Sequence, residues 1–351
     1  PGLSRAALCA LYAPTSGIVN PFGLAIAAAG NAMDNGAELR LNFAVSAISR
    51  ETDGFVLSDG RDTIRARFLV NAAGIHADAV ARLAGDDSIT IRPRRGEYLL
   101  LDKACGGLTR HTLFFTPDEK GKGVLLAPTV DGNLLLGPTS EFIDDKEDTT
   151  TTAAGQRQVL AAARRQLPGL PAGQGITVFT GLRAAGHTGD FLVGSSVPGM
   201  VHAAGIESPG LSASPAIAEY IVELLAESGL ALRKKPDFNP ARPPMDDFFN
   251  QPAVAINEQI RRDPRYGRIV CRCEQISEGE IVDALTRNPP ARDTDGIKRR
   301  VRCGMGRCQG GFCLPSVAEL VAREMGAPFE AVTKSGDGSR IVVGRTKGAG
   351  M

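Results

Sequence analysis

Five of the seven cysteines in this 351-residue chain fall in its last quarter, in the stretches "CRCE" (271–274) and "VRCGMGRCQGGFC" (301–313). A Cys-x-Cys pair has awkward geometry for bridging inside a compact fold, so these residues read as ligands rather than as disulfides. Cys271, Cys273, Cys308 and Cys313 have the form that thiolate-bound inorganic cofactors use. One residue separates the first pair and four the second, with thirty-four between the pairs. Each pair chelates, and the intervening chain supplies a small fold. An iron–sulfur cluster suits the pattern. Tetrahedral zinc takes the same four donors, although C-x-C with C-x4-C is not its usual pairing.

Such ligands need elements to hold them. Ser277 and Glu280 form an S-x-x-E capping box that opens a helix four residues after Cys273, and Pro315 suits the first turn of a helix beginning just after Cys313. Both helix N-termini would face the thiolates. Together with Arg272, Arg302 and Arg307 they would offset the charge of an anionic cluster. Gly304, Gly306, Gly310 and Gly311 let the backbone curl around the sulfurs and present its N–H groups. The stretch "GMGRCQG" comes near G-x-G-x-x-G, but Gln309 stands at the third glycine and no strand precedes it, so it is not a nucleotide fingerprint.

Residues 1–232 alternate strand-like apolar runs with Ala-rich helical runs, which predicts an α/β or α+β domain. A helix is expected from Pro21 to near Asn35, a buried strand through Val70, and a helix from about His76 to Leu83. "RRGEYLLLD", "GVLLAPT" and "GNLLLGPT" predict an antiparallel sheet, with "TVDGN" as a turn. "AAGQRQVLAAARRQ" and "SASPAIAEYIVELLAESG" predict two more helices. Residues 233–268 open with "RKKPDFNPARPPMDDFFNQP", whose proline and charge favour an extended connector. Residues 269–330 form the cysteine module, and 331–351 a short tail with one candidate strand, "RIVVG".

Bulk properties narrow the function. Hydrophobic residues at 43% support a real core, and a formal charge of +1 gives no field for nucleic acid. No run approaches the roughly 20 apolar residues of a membrane span, and "PGLSRAALCA" lacks the regions of a secretion signal. A cytoplasmic location is expected, where thiolates stay reduced.

The pattern "CRCE…GMGRCQGGFC" resembles the bacterioferritin-associated ferredoxin family of [2Fe-2S] domains, in the form fused to flavin oxidoreductases. The resemblance assigns the ligands to Cys271, Cys273, Cys308 and Cys313 and leaves Cys303 as an extra, packed thiol. The upstream segments "PTSGIVNP", "PRRGEYLLLD", "GLRAAGHTGDFLVG" and "GIESPGLSASPAIAE" resemble the FAD-dependent D-amino-acid-oxidase-like superfamily, with anaerobic glycerol-3-phosphate dehydrogenases and L-2-hydroxyglutarate oxidases as the nearest groups. The fold this implies is part of an FAD-binding domain with a mixed or antiparallel substrate sheet, followed by a small helical [2Fe-2S] domain. Val45 and the segment Asn71, Ala72, Ala73 and Gly74 match FAD-contacting positions. Gly205, Ile206, Glu207, Ser208, Pro209, Gly210 and Leu211 match the turn beside the flavin ring. These families open with a strand, a G-x-G-x-x-G turn and a helix, and no such unit occurs here. The chain therefore reads as the C-terminal part of a longer enzyme, expected to bind FAD weakly by itself while its cluster module assembles.

The resemblance further implies a small anionic substrate, most simply glycerol 3-phosphate, oxidised by hydride transfer to FAD. Electrons would leave singly through the cluster to a quinone-linked or protein acceptor, with peripheral membrane association through a partner subunit. Arg183 in "GLRAAG" is the candidate cation for the substrate's anionic end, an ion pair with Asp190 being the structural alternative. His187 and His76 are candidate bases. Tyr98 and Arg95 lie on the strand that lines the family's substrate cavity, but alternation puts them on opposite faces unless a bulge at Gly96 re-aims one. A 2-hydroxy-acid, amino-acid or amine dehydrogenase of the same superfamily, or a non-catalytic electron-transfer subunit, are the alternatives.

Overall fold

The computed structural model of the chain describes residues 2–117, 123–245, 248–344 and 347. The chain divides into two compact units, residues 1–16 with 40–236 and residues 17–39 with 237–351. The first helix, α1 (Pro21–Asp34), thus groups with the second unit rather than with the sequence that surrounds it. Polar contacts at its C-terminal end explain this. Asn31 and Asn35 both donate to the carbonyl of Asn239, and Asn288 donates to Asp34 at 2.9 Å.

In the first unit, β1 (Ala47–Glu51), β2 (Gly54–Ser58) and β3 (Thr63–Ala66) form an antiparallel meander. The strand β4 (Leu69–Asn71) leads through a 3-10 turn at Gly74–His76 into α2 (Ala77–Leu83), as the strand–glycine–helix grammar predicts. The central strand of the largest sheet is β5 (Ile91–Leu101). On one edge it pairs with β7 (Leu134–Gly137), itself paired with β6 (Leu125–Pro128), and with β8 (Glu141–Phe142). The helix α3 (Ala153–Gln166) precedes β9 (Gly175–Gly186), which covers the whole other edge of β5, antiparallel from Ile91–Gly186 to Leu101–Gly175. All pairs of this sheet are antiparallel, in line with the expected substrate sheet.

The core of this sheet lies on one face. Leu99, Leu101, Leu126, Leu134 and Leu136 meet Val159, Ala163 and Leu167 at α3 and its C-cap. Glu97 points to the same side and is buried. Its carboxylate accepts from Thr152 N–H and Oγ and from Gln156, tying β5 to the start of α3. The last strands, β10 (Leu192–Val197) and β11 (Met200–Ala204), are antiparallel, and β11 runs parallel to β4. The helix α4 (Gly210–Glu227) follows.

In the second unit, the segment expected to be an extended connector contains a ten-residue helix, α5 (Ala253–Arg262). Proline and charge keep 233–245 irregular, but Ile256 and Ile260, one helical turn apart, give a half-buried apolar face once the prolines end. The short hairpin β12 (Ile269–Cys271) and β13 (Ile276–Ser277) precedes α6 (Glu278–Thr286), α7 (Thr294–Val301) and α8 (Leu314–Met325). The capping box is present in full: Ser277 Oγ accepts from Glu280 N–H, and the Glu280 carboxylate accepts from Ser277 N–H. Ile281, Leu285, Ile297, Val317 and Val321 fill the core between the three helices. "RIVVG" contributes only an isolated bridge between Arg340 and Thr333. Among the described residues no helix is long and apolar enough to cross a membrane.

Candidate functional site

The cysteines converge as their spacing requires. Cys271 ends β12, Cys273 follows in the hairpin, and the glycine-rich loop after α7 brings in the other three. The Sγ atoms of Cys271 and Cys273 are 3.8 Å apart and those of Cys273 and Cys308 3.7 Å. Two thiolates on one tetrahedral metal, each bonded at about 2.3 Å, lie about 3.8 Å apart, so these spacings are those of ligands. Cys271, Cys303 and Cys313 form a buried triple whose sulfurs lie within 4.8 Å of one another.

Backbone N–H groups surround the sulfurs. Gly304 and Glu274 donate to Cys271, Phe312 and Gly310 donate to Cys308, and Cys308 donates to Cys273. The thiols of Cys303 and Cys313 beside Cys271 draw its thiol down, while burial, and next the Cys271 charge, push Cys273 up to about 12. Gly306 is needed for closeness: a Cβ there would stand 2.5 Å from the Cys273 sulfur. The N-cap of α8 is Cys313 itself, and Pro315 sits in its first turn as predicted. Arg272 and Arg307 line the cleft around the cysteines, whereas Arg302, in the left-handed region at φ 64°, forms an ion pair with Glu274. Converging sulfurs, a cradle of N–H donors and a glycine-cleared approach fit a thiolate-bound cluster.

A second site lies on the face of β5 and β9 away from α3. The β5–β9 register runs without a shift through Gly96–Gly181, so no bulge re-aims Arg95. Its guanidinium stays on the α3 side, bound to Glu141 and Asp148 at 2.7 and 2.6 Å. Arg94 takes its place beside Tyr98. Arg94 lies opposite Arg183, and Tyr98 opposite Phe179, with the rings stacked at 5.0 Å. Arg183 crosses over Gly96, where a Cβ would come within 2.8 Å of its Nη2. It donates to the carbonyl of Thr139 at 2.8 Å and, more weakly, to those of Arg94 and Arg95. These bonds engage Nε and Nη2, and the expected alternative of a pair with Asp190 does not form. Burial, and then the neighbouring Arg94, depress the Arg183 pKa, while burial raises that of Tyr98, which therefore keeps its proton at neutral pH.

Arg94 also connects this face to the expected flavin turn, because its Nη2 meets the Glu207 carboxylate at 2.5 Å. Its Nε is buried without a hydrogen-bond partner. Arg94 was legible in "RPRRGEY": it shares the parity of Tyr98, which Arg95 does not.

Residues 72–74 and 205–211 follow the parallel neighbours β4 and β11, whose paired ends are Asn71 and His202. Ligands of open α/β sheets lie in this position, outside the carboxyl ends of adjacent strands, and α4 starts there at Gly210. Ala72, Ala73 and Gly74 are exposed, as are Ser208, Pro209 and Leu211. Gly205 has φ +63°, and a Cβ at Gly210 would stand 2.3 Å from Ile206. These small residues and the bare backbone edge fit a flavin. Val45 is half-buried, packed against the core that holds Phe55 and Met200.

Asn71 points inward instead. Its amide donates to Ala77 O at 2.8 Å and to His202 Nδ1 at 3.1 Å. His202 Nε2 then faces Asp86 at 3.1 Å and Ser196 at 3.0 Å. Burial works against the Asp86 charge, but bonds from Ser196 and Ser88 outweigh it and hold the carboxyl at about 2. Burial lowers the His202 pKa below its ordinary 6.5, with Asp86 opposing. As pH falls below 6.5 the unfolded chain takes up a proton that the folded chain refuses, so stability drops, by up to about 1.4 kcal/mol per pH unit. The Asp86 contribution persists until far lower pH. Thermal unfolding should show a midpoint falling from pH 7 to pH 5, and His202→Gln should flatten that slope. His187 and His76 lie at the surface: the His187 ring accepts from Thr90 N–H at 3.4 Å, and His76 pairs with Glu147 at 3.2 Å.

Comparisons with known proteins cover the two regions in which these residues lie. The model of the "FAD dependent oxidoreductase" family matches residues 1–224, and that of the "BFD-like [2Fe-2S] binding domain" matches residues 269–323. A glycerol 3-phosphate dehydrogenase of Caloramator mitchellensis is 43% identical over 99% of this chain, which spans 73% of that relative. A glycerol 3-phosphate oxidase of Mycoplasma genitalium is 31% identical over 59% of the chain, which covers only 56% of its length. The FAD-bound L-alpha-glycerophosphate oxidase from Mycoplasma pneumoniae superposes with a TM-score of 0.55 at 32% identity, covering 60% of this chain and 56% of that one. The cofactors that go with the two matched regions are FAD and a [2Fe-2S] cluster. With more than half its length in the first match, the chain belongs to the FAD-dependent oxidoreductase family and carries a BFD-like [2Fe-2S] domain at its C-terminal end.

Proposed function

We propose that the chain serves a dehydrogenase for a small anionic secondary alcohol, glycerol 3-phosphate, whose electrons leave through the cluster module to a quinone-linked or protein acceptor. The observation that carries this reading is the placement of Arg183 and Arg94 beside Tyr98 on one face of β5 and β9, joined through Glu207 to the turn at 205–211. The name of the 43% identical relative supports the choice of phosphate over carboxylate. When bound, FAD supplies the hydride acceptor and the [2Fe-2S] cluster a one-electron relay.

The residues of this chain then have distinct tasks. Arg183 holds the phosphate with the guanidinium end left by its carbonyl bonds, and Arg94, ion-paired with Glu207, lines the same face. Tyr98, kept protonated by burial, donates its hydroxyl to the substrate. The backbone at 72–74 and 205–211 carries the flavin, and Cys271, Cys273, Cys308 and Cys313 hold the irons. In steady-state assays of flavin-loaded enzyme with an artificial acceptor, glycerol 3-phosphate should exceed both glycerol and L-2-hydroxyglutarate by about 10²-fold or more in kcat/KM. A preference for the hydroxy acid would overturn the substrate assignment, and no turnover of any of the three would overturn the dehydrogenase.

A further inference from the structure

The cluster site holds five thiols where four are needed, and the fifth is inside it. Cys303 is 4% exposed, and its sulfur shares the buried triple with Cys271 and Cys313, all three within 4.8 Å of one another. Cys273 and Cys308 lie outside that triple, paired with each other at 3.7 Å. Cys303 and Cys313 also belong to one loop, in which Gly304 and Gly310 face each other: a Cβ on Gly304 would lie 3.8 Å from the Gly310 Cα. Exchange between them needs a shift of side chains within a loop already folded around the site, and no movement of β12.

We propose that Cys303 is a reserve ligand of the cluster, able to replace Cys313. This rests on the [2Fe-2S] reading above. In the exchange, the iron–sulfur bond to Cys313 breaks as the one to Cys303 forms, and the proton lost by the Cys303 thiol passes to the released Cys313 thiolate. The donor set stays at four thiolates with the same total charge, and no oxidant or reductant takes part. The replacement sulfur comes from a different point of the loop, with different N–H neighbours, so the cluster's spectrum and reduction potential change while its irons are kept.

The test uses the full chain purified anaerobically, with iron and acid-labile sulfide counted per chain and the reduced protein examined by electron paramagnetic resonance. Cys303→Ala keeps the cluster and the wild-type spectrum. Cys313→Ala keeps at least about half of the iron, with shifted g values. The double variant Cys303→Ala/Cys313→Ala loses it. Circular dichroism of all three, with zinc supplied where iron is lost, separates ligand loss from misfolding. Loss of iron in Cys313→Ala as complete as in the double variant overturns the proposal, and so does loss of the cluster in Cys303→Ala alone. A wild-type chain that holds only zinc overturns instead the cluster reading on which the proposal depends.

Discussion

Arg183→Ala should lower kcat/KM for glycerol 3-phosphate by about 10²–10³-fold, which is about 2.7–4.1 kcal/mol of lost transition-state binding. The size follows from the setting. The guanidinium lies over Gly96, beside Pro138, anchored on three main-chain carbonyls, so its orientation is set before substrate arrives. A charge-assisted bond from a pre-oriented, partly buried cation is worth more than one from a mobile surface side chain. Most of the loss should appear in KM, since the phosphate is remote from the carbon that gives up hydride and is held alike in ground and transition states. Arg183→Lys should recover only part, because an ammonium cannot keep the carbonyl bonds and reach the ligand together. Glycerol, which has no phosphate, is the control: its low activity should be nearly unchanged. Arg95→Ala, on the opposite face with Glu141 and Asp148, should leave KM alone. If Arg183→Ala and Arg95→Ala raise KM equally, the anion site is not on this face.

Cys273→Ala should abolish the cluster, with iron below about a tenth of the wild-type content and no resonance from the reduced protein. Cys273 is the sulfur at ligand distance from two others, 3.8 Å from Cys271 and 3.7 Å from Cys308, and it lies outside the buried triple. No thiol stands ready to replace it. Metal binding contributes folding free energy in small modules of this kind, so the domain's unfolding transition should fall as well. Iron retained near the wild-type level in this variant would remove Cys273 from the ligand set.

The cysteine module was the most legible part of the chain. Its chemistry is written in residues close in sequence, and its helix boundaries follow local rules: the box at Ser277 and Glu280, the proline in the first turn of α8. The anion site was half legible. Alternation along β5 separates Arg95 from Tyr98 and puts Arg94 with it, yet the approach of Arg183 is set by the antiparallel pairing with β9, some eighty residues away, which no local pattern reveals. Asn71 shows the opposite difficulty. A polar residue at the end of a strand before a small-residue turn looks like a ligand contact, and only the approach of His202 from β11 shows that its amide is used inside the fold. The grouping of α1 with the second unit has the same origin, in side-chain contacts at Asn239 and Asn288.

One residue couples metal content to helix content. Cys313 both stands among the converging sulfurs and begins α8, whose Val317, Ala318 and Val321 form much of the module's interior. A chelator that strips the irons also releases the anchor of that helix. Far-ultraviolet ellipticity should therefore fall in step with bleaching of the visible absorption, and apo-protein exposed to protease should first be cut within residues 302–325.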